Sequence, residues 1–155
     1  ECGISAKNVH ASIYGEHGDT SFVPWSYAQI AGIPVEEYYE KYSVNKDTIK
    51  FDGDRITEYV RTSGGVVIAN KGATFYAIAL SVVRLCKLVL SAQNSITTVS
   101  TMFHGEYGID DVCLSVATII GPNGVQGKLN VPLTDKEVEQ LQNSAKALKD
   151  MIAQI

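Results

Sequence analysis

Three histidines are the chain's candidates for proton chemistry: His10, His17 and His104. Imidazole titrates near neutrality, so it can give or take a proton where other unperturbed side chains cannot. The surroundings of the three differ. His17 stands in Gly15-Glu-His-Gly-Asp19, between two glycines and close to two carboxylates. Glycines permit a tight, unusual backbone, which exposes a ring and fixes its place. By residue type, His17 is either a proton carrier or a structural histidine satisfied by a neighbour. His104, in Phe103-His-Gly-Glu-Tyr-Gly108, falls at a strand end and reads as structural. The histidine spacings match no common ligand pattern, so no metal site is expected. Cys2, Cys86 and Cys113 are too far apart for a zinc knuckle or redox pair. Cys86 and Cys113 lie in apolar runs, where free cysteine behaves as a small hydrophobe. This usage points to a reducing, cytoplasmic compartment. No serine or cysteine nucleophile motif accompanies His17, which argues against a hydrolase.

The elements that must position these residues follow from the pattern. Val9 to Tyr14 is β-branched and aromatic and predicts a strand running into the His17 loop. Pro34-Val-Glu-Glu opens a short helix or loop. Ile56, Tyr59, Val60 and Val67 fall at helical spacing from Gly53 onwards. Gly64-Gly65 lies inside that pattern, where each glycine costs about 1 kcal/mol relative to alanine, and predicts a break or thinning. Lys71-Gly72 is a second break. Thr74 to Ser91 has the length of a long helix and is apolar on most of its surface, which predicts burial on most sides. Ile96 to Phe103 and Asp111 to Gly121 read as strands. Pro122-Asn-Gly124 is a turn, with Val125 to Val131 returning. Thr134-Asp-Lys-Glu137 fits a capping box, and Val138, Leu141, Ala145, Leu148 and Ile152 then share one helix face. The order predicts an α+β fold of antiparallel strands with long helices, and residues 1–155 read as one domain. No Gly-x-Gly-x-x-Gly follows a strand, so no Rossmann domain is expected within the chain.

Composition narrows the function classes. The 155 residues are 45% hydrophobic and 19% charged, enough apolar content for a real core. The net charge of -4 and scattered lysines and arginines give no surface for nucleic acid or an acidic membrane. The most apolar stretch, Phe75 to Ala92, is interrupted by Arg84 and Lys87, so a buried helix is expected there and not a bilayer span. No signal peptide is visible.

Two longer motifs carry a resemblance. Val9-His-Ala-Ser-Ile-Tyr-Gly-Glu-His-Gly-Asp-Thr20, followed by Val23-Pro-Trp-Ser26, resembles the active-site segment of L-lactate dehydrogenases. Lys71-Gly-Ala-Thr-Phe-Tyr-Ala-Ile-Ala79 resembles their second substrate segment. Tyr107-Gly108, Gly124 and the capped final helix follow in the family's order, so the resemblance covers essentially the whole chain. It implies the C-terminal, substrate-binding half of an NAD-dependent enzyme of pyruvate fermentation. In that reading His17 matches the catalytic histidine, which protonates the pyruvate carbonyl oxygen as NADH delivers hydride. Thr74 matches a residue lining the substrate pocket; its plainer role would be to cap the helix starting near Phe75. Ile78 matches a position packing against the nicotinamide, and is otherwise a core residue. His10 matches a position that in many bacterial members helps bind fructose 1,6-bisphosphate between subunits, and is otherwise an ordinary strand histidine. Glu16 and Thr74 resemble lactate rather than malate dehydrogenases, while another L-2-hydroxyacid remains open because the loop that chiefly sets substrate choice lies in the other half.

The resemblance also implies what should lie elsewhere. The nucleotide-binding half, the aspartate orienting the histidine and the arginines gripping the substrate all precede the residue matching Glu1. The absence of an initial methionine and the Cys2-Gly3 element end agree with a natural protein that begins upstream. The expectation is therefore that residues 1–155 alone are inactive, and that the full-length form is a homotetramer. An alternative is a folding and assembly module in which His17 is idle.

Overall fold

The structure, a computed structural model, describes residues 2–155; Glu1 lies outside the described residues. Among the described residues, two three-stranded antiparallel sheets and four α-helices make up the fold, in agreement with an α+β reading. The small sheet comprises β1 (Val9–His10), β2 (Gln29–Ile30) and β3 (Ile33–Pro34), in that order. It leads into α1 (Val35–Tyr42). The large sheet comprises β4 (Ser95–His104), β5 (Asp110–Gly121) and β6 (Gly124–Lys128), with β5 in the centre.

The central position of β5 follows from its side chains. Val112, Leu114 and Val116 alternate into the core with Phe103, Tyr14, Phe22, Leu141 and Ala145. Alternation of β-branched and aliphatic residues with one buried face is what an antiparallel strand needs. The cover is α4 (Asp135–Ile152), whose capping box is complete. The Glu137 amide donates to Thr134 Oγ1 at 3.3 Å, and the Glu137 carboxylate accepts the Thr134 amide at 2.9 Å. Leu141 and Ala145 are buried, Val138 and Leu148 are half-buried, and Ile152 at the far end is exposed. β6 stops at Lys128, short of the expected Val131, because the chain turns away to supply Thr134 as the cap of α4.

Four expectations need correction, the last of them that of Cys86 and Cys113 as core residues. The first concerns Val9 to Tyr14, which is not one strand. Only Val9 and His10 pair with β2; Tyr14 and Gly15 instead bridge to Phe22 and Ser115. The segment changes partner midway and crosses from the small sheet to β5. The second concerns α2 (Gly53–Lys71), which runs through Gly64-Gly65 without a break. Asp52 caps its start by accepting the Arg55 amide at 2.9 Å, and Gly72 closes its end at φ 81°. Two glycines together cost about 2 kcal/mol, which a long, well-capped helix tolerates. The third concerns α3 (Tyr76–Val89), which buries no residue at all. It meets β5, with Leu85 and Leu88 half-buried, while Leu80 is 72% exposed. An apolar helix face is buried only if an element lies opposite, and none of these residues covers the outer faces of α2 and α3. Cys86 and Cys113 are likewise exposed free thiols and not core residues.

Candidate active site around His17

His17 sits near the tip of a narrow loop whose base is closed on three sides. Tyr14 and Phe22 exchange backbone hydrogen bonds at 2.8 and 3.0 Å. Their buried rings meet edge to face, with centroids 6.3 Å apart. The Ser21 amide donates to Gly18 O at 3.2 Å, which tightens the turn. Gly15 lies at φ 95° and pairs both ways with Ser115 of β5, at 3.0 and 2.8 Å. That backbone region favours glycine.

The third side is α4. The Glu16 amide donates to Ser144 Oγ at 2.7 Å. Glu16 Oε1 accepts the Thr20 amide at 3.1 Å and the Thr20 hydroxyl at 2.6 Å. The Glu16 carboxylate is thus turned back across the loop. A Cβ on Gly18 would stand 3.1 Å from that carboxylate, so glycine allows the chain to fold this closely. Among the described residues none forms a hydrogen bond with the His17 ring, which is exposed.

The ring lies in a cleft of about 350 Å³ shared with Asp19, Arg61, Gly64, Gly65 and Thr74. α2 is held against the loop by Arg61, whose Nη2 donates to Ser21 O at 2.6 Å while Nη1 pairs with Glu58 at 2.8 Å. Trp25 anchors the other end of that helix, its indole N–H directed at Gly53 O and Thr57 Oγ1, both at 3.2 Å. The next residue, Ser26, donates through its hydroxyl to the Glu137 carboxylate at 2.5 Å. Burial alone would push Glu137 up, but the Ser26 and Thr134 hydrogen bonds outweigh it and hold the carboxyl below its usual range. These contacts tie the first turn of α4 to the first turn of α2 through Trp25-Ser26.

The structure therefore brings His17 and Thr74 to one cleft. Thr74 does not cap α3, whose N-cap is Phe75 with no side-chain hydrogen bond. Ile78 lies outside the cleft lining, on α3, and is 61% exposed. His10 is exposed on β1 and borders a separate hollow of about 170 Å³. His104 ends β4; its amide donates to Glu106 at 2.6 Å, within a turn that Lys128 closes by pairing with Glu106 at 2.9 Å. Among the described residues no group of three or more His, Cys, Asp or Glu side chains could hold a metal ion, and no helix is long and apolar enough to cross a membrane.

Arg61, Ser144 and Trp25 are site residues that sequence reasoning did not single out. Arg61 carried a signal, since Thr57, Arg61, Gly64 and Ile68 share one face at helical spacing. Ser144 carried none, because its partner Glu16 is 128 residues away.

All residues 1–155 match the family model described as the lactate/malate dehydrogenase, alpha/beta C-terminal domain. The chain is 46% identical over 149 residues to an L-lactate dehydrogenase of Acetivibrio thermocellus, covering 96% of this chain and 46% of that protein. It is also 46% identical over 149 residues to L-lactate dehydrogenase 2 of Clostridium acetobutylicum, again covering 96% and 46%. Among solved structures, an L-lactate dehydrogenase from Clostridium thermocellum superposes with a TM-score of 0.85 at 40% identity, covering 99% of this chain and 48% of that one. A malate dehydrogenase from Archaeoglobus fulgidus in complex with NADH superposes at 0.77 with 32% identity, covering 94% and 43%. The chain spans about half the length of the relatives it matches.

Proposed function

The chain belongs to the lactate/malate dehydrogenase family, whose α/β C-terminal domain it matches throughout, and we propose that it is the substrate-binding half of an NAD-dependent L-lactate dehydrogenase. The reaction is the interconversion of pyruvate and L-lactate, with His17 carrying the proton. The observation behind this reading is the placing of His17, on a loop closed at its base, in the same cleft as Thr74.

The chemistry required of the chain is acid–base and positional. Reduction of a 2-oxo acid adds hydride to the carbonyl carbon and develops negative charge on its oxygen. An imidazolium at His17 donates its proton to that oxygen and leaves as neutral imidazole; lactate oxidation reverses the transfer. Thr74 lines the pocket wall beside the substrate, and with Glu16 it favours lactate over malate. NAD supplies the hydride acceptor or donor when bound. The residues present fit only its apolar, nicotinamide end: Ile78 leaves an aliphatic side chain uncovered on the first turn of α3, and no glycine-rich phosphate cradle follows a strand. The remainder of the cofactor is assigned to an N-terminal half outside these residues.

The uncovered apolar faces of α2 and α3 support an assembly role beside the catalytic one: they would meet that half and further copies of the subunit in a homotetramer. His10, exposed on β1, is the candidate contact for fructose 1,6-bisphosphate. A cytoplasmic place in pyruvate fermentation fits the exposed free thiols of Cys86 and Cys113.

The test is kinetic. In the full-length chain, His17→Gln is expected to lower kcat for pyruvate reduction by about 10²-fold or more, with NADH binding retained. Residues 1–155 alone are expected to show no NADH-dependent pyruvate reduction. Wild-type turnover in the His17 variant would leave the assembly role as the surviving reading. For the effector, loss of bisphosphate activation in His10→Ala is expected, and an enzyme indifferent to the bisphosphate would remove His10 from the site.

A further inference from the structure

We infer that Ser144, on the last helix, is a positioning residue for His17, acting through the Glu16–Thr20 frame of the loop. Its catalytic consequence rests on His17 being the proton carrier; the positioning itself does not. Three observations lead here.

First, no described residue holds the His17 ring by a hydrogen bond. Within this half, the ring's place is set by the backbone that carries it. Second, that backbone is fixed by a closed ring of polar groups. Ser144 Oγ accepts the Glu16 amide at 2.7 Å and lies 2.9 Å from Thr20 Oγ1. Thr20 has one hydroxyl proton, and Glu16 Oε1, charged and 2.6 Å away, is its better acceptor. The Ser144 proton therefore points to Thr20 Oγ1, and each member of the ring is satisfied. Third, the contact is too close for any side chain but hydrogen at Gly15. A Cβ there would stand 2.6 Å from Ser144 Oγ and 3.2 Å from its Cβ. α4 and β5 thus grip the base of the loop from two sides, at Ser144 and at Ser115.

Ser144 is completely buried. Removing its hydroxyl leaves the Glu16 amide without an acceptor and Thr20 without a donor. The loop then loses its tie to α4 while β5 still holds Gly15. A displacement of the ring by a fraction of an ångström to one ångström degrades proton transfer without removing the acid.

The experiment uses the full-length chain. In Ser144→Ala, hydrogen exchange of the Glu16 and Thr20 amides is expected to quicken about tenfold or more, and kcat for pyruvate reduction to fall roughly tenfold to a hundredfold with KM for NADH unchanged. Thr20→Val, which breaks the ring at another member, is expected to reproduce both effects, and Thr20→Ser to preserve wild-type values. Ser43→Ala, which removes a buried hydroxyl that accepts the Asn45 amide at 3.3 Å beyond the end of α1, is expected to lower stability and leave kcat unchanged. Unaltered exchange at both amides in Ser144→Ala and Thr20→Val would overturn the positioning role. Faster exchange with unchanged kcat, or an equal kcat loss in Ser43→Ala, would overturn its catalytic consequence. A wild-type chain that reduced no 2-oxo acid would defeat the functional reading, and the exchange measurement would still decide the positioning.

Discussion

The β4–β5–β6 sheet with α4, and the α2–α3 pair, are both rich in valine, leucine and isoleucine, yet they bury them to opposite extents. In the first region Leu114 and Leu141 are fully buried, and the polar ends are satisfied by the Thr134–Glu137 box and the Lys128–Glu106 pair. In the second, no residue of either helix is buried. Apolar content is thus no measure of burial: the sheet carries its own cover in α4, whereas no described residue covers the outer face of α2 and α3. The His17 loop sits on the seam. Its base belongs to the self-sufficient region through Tyr14, Gly15 and Ser144, and its cleft opens towards α2.

The contrast can be broken most forcefully at Leu141. Leu141→Ala is expected to cost about 2–5 kcal/mol, as large-to-small changes at closed core sites do; chemical denaturation showing less than 1 kcal/mol would mean that α4 is not the cover it looks to be. A smaller effect comes from the turn after β4. Burial pushes the Glu106 carboxyl up, but the His104 amide and Lys128 outweigh it and bring it down from the ordinary value of about 4.5 to about 2. A carboxyl lowered on folding stabilises above its unfolded value, and that contribution disappears as pH falls from about 4.5 through about 2. With the side chain partly exposed, the effect is on the order of 1 kcal/mol. Acid titration of stability should therefore flatten over that window in Glu106→Gln.

On the other side of the comparison, Gly64→Ala in residues 1–155 is expected to stabilise α2 by about 0.5–1 kcal/mol, because nothing lies within 4 Å of the added Cβ. A lower melting temperature would show that the glycine serves a contact at this position. The smallest effect is expected for Leu80→Ser: within about 0.5 kcal/mol in residues 1–155, but more than about 1 kcal/mol in the full-length chain, where the proposed N-terminal half or a second subunit would bury the site. Equal costs in the two settings would remove the argument that α3 is covered by something beyond this half.

Features that depend on neighbours in the chain were legible. The capping box at Thr134, the Asn123-Gly124 turn and the Gly72 break each need only three or four adjacent residues. His17 stood out by its flanking glycines, and Thr74 by the resemblance of its segment. Features that depend on distant partners were not. Val9 to Tyr14 has strand composition, but which sheet each end joins is decided by Ile30 and Ser115. Thr74 offered itself as a cap, yet the helix begins at Tyr76, with Phe75 as its N-cap. The apolar run through α3 implied burial, and burial depends on what stands opposite.

By itself, then, the sequence determined the strands of the large sheet, the long helices α3 and α4, the identity of the proton-carrying candidate and the family, but not the small sheet of β2 and β3. Backbone propensity, capping and periodicity are local and are written in adjacent residues. Only the tertiary structure decided that Thr74 and Arg61 reach the same cleft as His17, and that the loop is braced by a serine from the far end of the chain. It also decided that the two most apolar helices stay uncovered. Each of these is a long-range contact, set by how the elements pack and not by what any one segment prefers.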